Sequence, residues 1–123
     1  MSHNRIVVVG SANIDLVTRV PRCPHPGETL IGASFQTVCG GKGANQAVAA
    51  ARLGAETTFV GCVGNDGFGE MLRSGLIAEG IDVSHVKVHP TKPSGTATIL
   101  VGDDGQNCIV ISPSANFELT PED

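Results

Sequence analysis

The sequence predicts an α/β fold in which a parallel sheet with helices carries a second, smaller β sheet. Between residues 44 and 80, two helix-forming segments alternate with a strand-forming segment, and this alternation is typical of parallel sheets. Further along the chain, two strand-forming segments flank a turn sequence, which predicts an antiparallel hairpin. The 16 glycines among 123 residues favour a fold with tight turns and ligand loops over a helical bundle.

Residues 6–9 form the first predicted strand. Their continuous aliphatic run indicates a strand buried on both faces of the parallel sheet, and Gly10 ends it. A polar segment follows at its carboxyl end, where ligands of open α/β sheets bind. Asn13 and Asp15 are two residues apart in extended chain, so their side chains point to one side and offer an amide and a carboxylate to vicinal hydroxyl groups. For Asp15 alone, a solvated or capping carboxylate is the alternative.

Two further extended segments, residues 14–20 and 28–38, lead into a glycine-rich loop. Residues 40–47 read Gly-Gly-Lys-Gly-Ala-Asn-Gln-Ala and open a predicted helix that ends near residue 53. Glycines let a ligand approach the backbone, the first helical turn offers unpaired N–H groups, and Lys42 and Asn45 add polar side chains. The loop is therefore predicted to bind a polar ligand. The alternative is a glycine-rich turn that only begins the helix.

Two common nucleotide-binding motifs do not fit this loop. A P-loop is excluded, because Gln36 and Gly43 occupy the positions that require a glycine and a serine or threonine. A dinucleotide-binding fingerprint fits poorly, because Gln46 stands where the third glycine of that motif belongs.

The next predicted elements are a strand over residues 57–63 and a helix over residues 67–79, each followed by a glycine. His85 and His89 are four residues apart, which on a helix would suggest a metal-binding pair. The surrounding valines and Pro90 predict an extended segment instead, and hence surface histidines.

The predicted hairpin consists of residues 96–101 and 107–111 around a Gly-Asp-Asp-Gly turn. With the extended pieces between residues 14 and 38, it is expected to form a small separate sheet. Such a sheet over the carboxyl ends of the parallel strands would act as a lid. Residues 119–123 resemble the N-cap and first turn of a further helix.

The composition argues against several partners. A net charge of −4 with scattered basic residues excludes nucleic acid and acidic membranes as expected partners, and the only aromatic side chains are four phenylalanines. The four cysteines are far apart, form no Cys-x-x-Cys pair and follow no secretory segment. Reduced thiols, no metal site and a cytoplasmic location are therefore expected.

Three segments together match a known family. They are Val-Gly-Ser-Ala-Asn-Ile-Asp at residues 9–15, Pro-Gly-Glu-Thr at residues 26–29, and the glycine-rich loop, followed by Gly54 and Gly64. Over nearly all 123 residues the chain resembles the N-terminal part of the ribokinase (PfkB-type) carbohydrate kinases. The resemblance implies a ribokinase-like parallel sheet with helices, and lid strands at about residues 14–38 and 94–111. It also implies a homodimer that shares its lid between two subunits.

The resemblance also implies a sugar-binding set. The residues expected to bind ribose hydroxyls are Asn13, Asp15, Gly41, Lys42 and Asn45. On the lid strands, Ala97, Ile99 and Ile111 are expected to pack against the apolar side of the sugar. At residues 112–116, Ser114 stands where the family usually has glycine before Ala-Asn, which makes the geometry of this loop an open question.

Family members phosphorylate D-ribose with ATP to give ribose 5-phosphate and ADP, using Mg²⁺ and a monovalent cation. Their catalytic base lies in a Gly-Ala-Gly-Asp signature that these 123 residues do not contain. The expectation is therefore a sugar-binding part without the C-terminal ATP-binding half, with no catalytic residue, no bound cofactor and no activity of its own. The alternatives are a noncatalytic sugar-binding or dimerising module, or part of another PfkB-type sugar or nucleoside kinase.

Overall fold

The computed structural model describes residues 4–123, which form seven strands, two α-helices and one short 3₁₀ helix in two sheets. In chain order the elements are β1 (Arg5–Val9), β2 (Asn13–Val20), β3 (Ser34–Gly40), α1 (Lys42–Arg52), β4 (Glu56–Gly64), α2 (Gly67–Ala78), β5 (Val86–His89), β6 (Gly95–Gly102), β7 (Asn107–Ser112) and the 3₁₀ helix (Ser114–Glu118).

The first sheet is parallel, with strand order β1-β4-β5. Both helices pack on β4, and the core between them and the sheet contains the fully buried Phe59, Val63 and Leu72. The helix α1 contributes small residues to this core: Ala44 and Ala47 are buried, so its axis lies close to the strands. The predicted β-α-β-α succession and parallel sheet are confirmed.

The prediction that the first strand is buried on both faces is wrong. Val7 and Val9 are 63% and 64% exposed, whereas Val8, which points to the other face, packs against the core. The strand β1 lies at an edge of the sheet, and no element among residues 4–123 covers the face that carries Val7 and Val9. A continuous aliphatic run identifies a strand, but it does not say what lies beside it.

The second sheet has strand order β3-β2-β6-β7 and contains the segments that were predicted to form a lid, so we call it the lid sheet. The hairpin of β6 and β7 is confirmed, whereas the central parallel pairing of β2 with β6 was not predicted. The third strand begins only at Ser34, not near residue 28. The reason is local: Glu28 accepts two hydrogen bonds from the Arg22 guanidinium and one from the backbone N–H of His25, which folds this segment into a loop.

The expectation of four reduced cysteines is also wrong, because Cys23 and Cys108 form a disulfide. The parallel pairing of β2 with β6 and the antiparallel pairing of β6 with β7 bring the end of β2 close to the start of β7. Cys23 follows β2 and Cys108 lies at the start of β7, so the register explains the bond. Cys39 and Cys62 are free, the first exposed and the second buried.

The two histidines discussed above lie in different environments. His85 is exposed, while His89 is partly buried and its Nδ1 accepts hydrogen bonds from the backbone N–H groups of Thr91 and Lys92.

Residues 4–123 contain no cluster of three or more potential metal-binding side chains. Of the two α-helices described, neither is long and apolar enough to span a membrane. The predicted final helix is a single hydrogen-bonded turn, with Asp123 N donating to Thr120 O.

Candidate functional site

An open cavity of about 420 Å³ lies between the start of α1, the loop after β1 and one face of the lid sheet. All eight residues predicted to contact a sugar line it: Asn13, Asp15, Gly41, Lys42, Asn45, Ala97, Ile99 and Ile111. Five further lining residues were not predicted: Ser11, Ile109, Pro113, Asn116 and Phe117. The structure therefore brings together side chains from both ends of the sequence.

The register of the lid sheet explains this arrangement. Asp15 is paired with Ala97 on β6, and Ala97 is paired with Ile111 on β7, so the three side chains project from the same face in one row. In the next row of this face, Ile99 is paired with Ile109. One carboxylate therefore lies at the end of an aliphatic wall.

The carboxylate of Asp15 has no hydrogen-bond or ion-pair partner among the described residues, although it is partly buried. It packs against Gly40, where a Cβ atom would come within 2.7 Å of Oδ2. Burial raises the pKa of Asp15 above its ordinary value, because the charged form loses hydration and gains no compensating partner. The side chain is thus an unpaired acceptor at the cavity surface.

The glycine-rich loop serves the backbone packing as well as the cavity. Gly41 has φ 97°, and a Cβ atom there would lie within 2.7–2.9 Å of backbone atoms of Ser11, Ala12 and Asn13. A Cβ on Gly43 would lie 2.8 Å from the backbone of Gly10. Chain geometry alone therefore requires these two glycines, as the simple turn alternative supposed.

Lys42 and Asn45 are different, because both side chains are exposed and line the cavity. No ion pair in the described part of the chain involves Lys42. At the start of the helix, Ala44 N donates to Ser11 O over 2.9 Å, which fixes α1 to the loop after β1. The loop thus places two polar side chains at the same cavity as Asp15.

Asn116 connects the far end of the sequence to this loop. Its Oδ1 accepts from Ala12 N over 3.0 Å, and its Nδ2 donates to Ala12 O over 3.2 Å and to Asn13 Oδ1 over 2.7 Å. Two residues earlier, Ser114 has φ 47°, the only non-glycine residue with positive φ among residues 4–123. Asn116 was not predicted, because 103 positions separate it from Asn13. The unusual Ser-Ala-Asn segment was the one signal in the sequence.

Comparison with known proteins gives consistent matches. The model of the pfkB family of carbohydrate kinases matches residues 3–123. The ribokinase of Bacillus subtilis (strain 168) is 47% identical over 116 residues, which cover 94% of this chain and 39% of that protein. The structure of Giardia lamblia ribokinase matches with a TM-score of 0.88 and 40% identity, covering 98% of this chain and 36% of that one.

A third match carries ligands. The structure of Arabidopsis thaliana ribokinase complexed with ribose and ATP matches with a TM-score of 0.85 and 40% identity, covering 94% of this chain and 38% of that one. In all three comparisons, the chain spans about two fifths of the relative's length or less.

Proposed function

Because the chain belongs to the pfkB family of carbohydrate kinases, we propose that its cavity binds ribose as the sugar substrate of an ATP-dependent ribokinase. The observation that carries this proposal is the unpaired Asp15 carboxylate at the end of an aliphatic wall. A sugar ring has the complementary surface, with hydroxyl groups at its edge and C–H groups on its face. Carboxylate and amide groups hold the hydroxyls, and aliphatic side chains cover the rest.

The proposed roles follow from position. Asp15 accepts hydrogen bonds from sugar hydroxyls, and the Asn13 amide beside it binds a neighbouring hydroxyl. From the opposite side, Lys42 and Asn45 reach the ring from the first turn of α1, while the Gly41 backbone allows close approach. The residues in contact with the apolar side of the sugar are Ala97, Ile99 and Ile111. Closing the lid sheet over the ligand would exclude water from the reacting hydroxyl.

We assign phosphoryl transfer to segments of the relatives that lie beyond the aligned residues. About three fifths of the length of the Bacillus subtilis ribokinase lies outside the alignment. ATP is the proposed phosphoryl donor, with Mg²⁺ and a monovalent cation, and no step is assigned to a metal held by residues 4–123. Because this reaction depends on positioning all its parts at once, residues 1–123 alone are expected to give no measurable ribose phosphorylation.

The lid is also the proposed dimer contact. Ile109, Val110 and Ile111 on the edge strand β7 are 57–64% exposed, and Phe35 on the opposite edge strand is 64% exposed. Exposed apolar edge strands favour association with another chain. We therefore keep a noncatalytic, dimerising sugar-binding module as the second candidate function. A cytoplasmic location stays a prediction, tested by the redox state of Cys23 and Cys108 in cells.

Two measurements test the proposal. Calorimetric titration of the purified 123-residue chain with ribose should show binding, and Asp15→Asn should weaken it. A chimera that joins these residues to the remaining part of the Bacillus subtilis ribokinase should phosphorylate ribose with ATP, while the chain alone should not. If the chain bound no ribose and the chimera used none, the sugar site would be refuted. If the chain alone phosphorylated ribose, the assignment of phosphoryl transfer would be wrong.

Sedimentation velocity tests the dimer contact. Wild-type chain should associate as its concentration rises, and Val110→Lys on the edge strand should reduce this association. A matched change at an exposed apolar residue away from the lid, Leu53→Lys, should leave association through the lid unaltered. A chain that remained monomeric at every concentration would contradict the proposed dimer.

A further inference from the structure

We infer that Asn116 is a positioning residue that fixes which atom of the Asn13 amide faces the sugar. The inference rests on the proposed sugar site and adds a specific orientation to it. Asn116 lies in the 3₁₀ helix at the edge of the same cavity, and its amide joins Ala12 and Asn13. Asn116 makes three hydrogen bonds, two with the Ala12 backbone and one with the Asn13 side chain.

The first step is the orientation of the Asn116 amide. The backbone of Ala12 offers one N–H, which only donates, and one carbonyl oxygen, which only accepts. Asn116 contacts both, with Oδ1 receiving the N–H over 3.0 Å and Nδ2 donating to the carbonyl over 3.2 Å. Rotating the amide by half a turn would place donor against donor and acceptor against acceptor. Ala12 is fully buried, so water does not easily replace these bonds.

The second step is the orientation of the Asn13 amide. With its Nδ2 fixed as a donor, Asn116 requires an acceptor from Asn13, and Asn13 Oδ1 lies 2.7 Å away. The Nδ2 of Asn13 is then left without a protein partner among residues 4–123, in a side chain that lines the cavity. The site therefore presents a donor from Asn13 next to the acceptor oxygens of Asp15. This pair complements two adjacent hydroxyls, of which one accepts and the other donates.

Gly95 supplies a second, independent observation. It is paired with Asn13 in the register of β2 and β6, and a Cβ atom built on it would collide with both Asn116 Nδ2 and Asn13 Oδ1. Gly95 does not have positive φ, so its backbone conformation does not itself require glycine. The absence of a side chain at this position leaves room for the Asn13–Asn116 hydrogen bond.

The test compares Asn116→Asp with Gly95→Ala and with Asn107→Asp as a matched control. Asn116→Asp replaces the donor Nδ2 by an oxygen that faces both Ala12 O and Asn13 Oδ1. The Asn13 amide must then turn, so that its Nδ2 donates to the new carboxylate and no longer to the sugar. Ribose affinity should fall about tenfold to a hundredfold, the effect of one mispaired hydrogen bond. Gly95→Ala should also lower the affinity for ribose. Asn107→Asp makes the same chemical change on an exposed lid strand and should leave affinity unchanged.

Two readouts separate positioning from general damage to the fold. In the Asn13→Ala background, Asn116→Asp should have no further effect on ribose affinity, because Asn116 acts through Asn13. In the wild-type chain, ribose should shift the NMR signals of the Asn13 side-chain NH₂ group, and Asn116→Asp should abolish this shift. In the chimera, Asn116→Asp should raise the Michaelis constant for ribose and leave the Michaelis constant for ATP unchanged.

The outcomes distinguish this inference from the proposed function. If the wild-type chain and the chimera fail to bind ribose, or Asp15→Asn has no effect, the sugar site itself is wrong. If ribose binds and depends on Asp15, but Asn116→Asp and Gly95→Ala behave like Asn107→Asp, the positioning role is refuted. Full additivity of Asn13→Ala and Asn116→Asp refutes it as well. Should Asn116→Asp unfold the chain, Gly95→Ala and the NMR signals of Asn13 decide the question.

Discussion

Ser94 lies at the junction of the two sheets, and its hydroxyl group donates a hydrogen bond of 2.6 Å to Asp66 Oδ1. Asp66 also accepts from Gly69 N, which makes it the N-cap of α2, and from Ser94 N. Burial acts to raise the pKa of Asp66, but these three hydrogen bonds outweigh it and hold the pKa below its ordinary value. The hydroxyl of Ser94 in turn accepts from Gly64 N at the end of β4. Two residues thus attach the lid sheet to the parallel sheet.

Ser94→Ala should destabilise the protein. The change leaves the buried N–H of Gly64 without a partner and removes a donor from Asp66, at a cost of roughly 1–3 kcal/mol in the free energy of unfolding. Urea unfolding followed by circular dichroism measures it. The exposed Ser74 on α2 provides the control, because Ser74→Ala should change stability little. Equal stability of the two variants would show that the junction contributes nothing.

Asp15→Asn should change the pH dependence of ribose binding. Burial raises the pKa of Asp15, so in wild type the carboxylate protonates at a higher pH than an ordinary aspartate as the solution is acidified. Ribose affinity should fall over that range, because the protonated group loses acceptor capacity. The Asp15→Asn variant should bind ribose about tenfold to a hundredfold more weakly than wild type. Its affinity should not vary with pH over the range in which Asp15 protonates. Asp103→Asn in the exposed lid turn is the control for calorimetric titration.

The same substitution should raise stability at neutral pH. A carboxyl group whose pKa is raised in the folded state contributes stability below its unfolded pKa, and this contribution is lost as the pH rises through the folded pKa. Asp15→Asn introduces a neutral amide, which does not ionise, so the variant does not lose this stability as the pH rises to neutral. Better folding combined with weaker binding would indicate a site residue, whereas loss of both would indicate a structural carboxylate.

Lys42→Ala and Gly41→Ala should separate binding from folding. Lys42 is exposed and lines the cavity, so its truncation should lower ribose affinity and leave the free energy of unfolding nearly unchanged. Gly41→Ala should lower stability as well, because of its φ of 97° and its contact with the loop after β1. Thermal unfolding and ribose titration of both variants provide the comparison. Unaltered affinity in Lys42→Ala would remove Lys42 from the proposed site.

Ser114→Gly should stabilise the protein. Ser114 has φ 47°, a conformation that costs L-residues roughly 1–2 kcal/mol, and part of the gain is offset by the greater chain entropy of glycine. A net increase of about 0.5–1 kcal/mol in unfolding free energy is expected. The control is Ser84→Gly at an exposed position without positive φ, which should destabilise slightly. Destabilisation by both changes would show that Ser114 carries no strain.

The sequence predicted what depends on local chemistry. Glycines at positions 64 and 80 marked the ends of β4 and α2 correctly, and the polar residues after β1 were all found at the cavity. What it did not predict depends on pairing between distant segments. The contact of Asn116 with Asn13, the Cys23–Cys108 bond and the exposure of β1 each follow from which strand lies beside which, and no local pattern encodes that choice.

The disulfide has a consequence for cleavage of the chain. Cys23 and Cys108 are 85 positions apart, so one proteolytic cut between them opens a covalent ring but releases no fragment. Trypsin acting after Arg52, at the exposed end of α1, would give two pieces that migrate together on a gel until a reductant is added. Asp15 would remain on one piece and Ala97 on the other. The carboxylate and the aliphatic wall of the cavity would still be tethered in a nicked molecule.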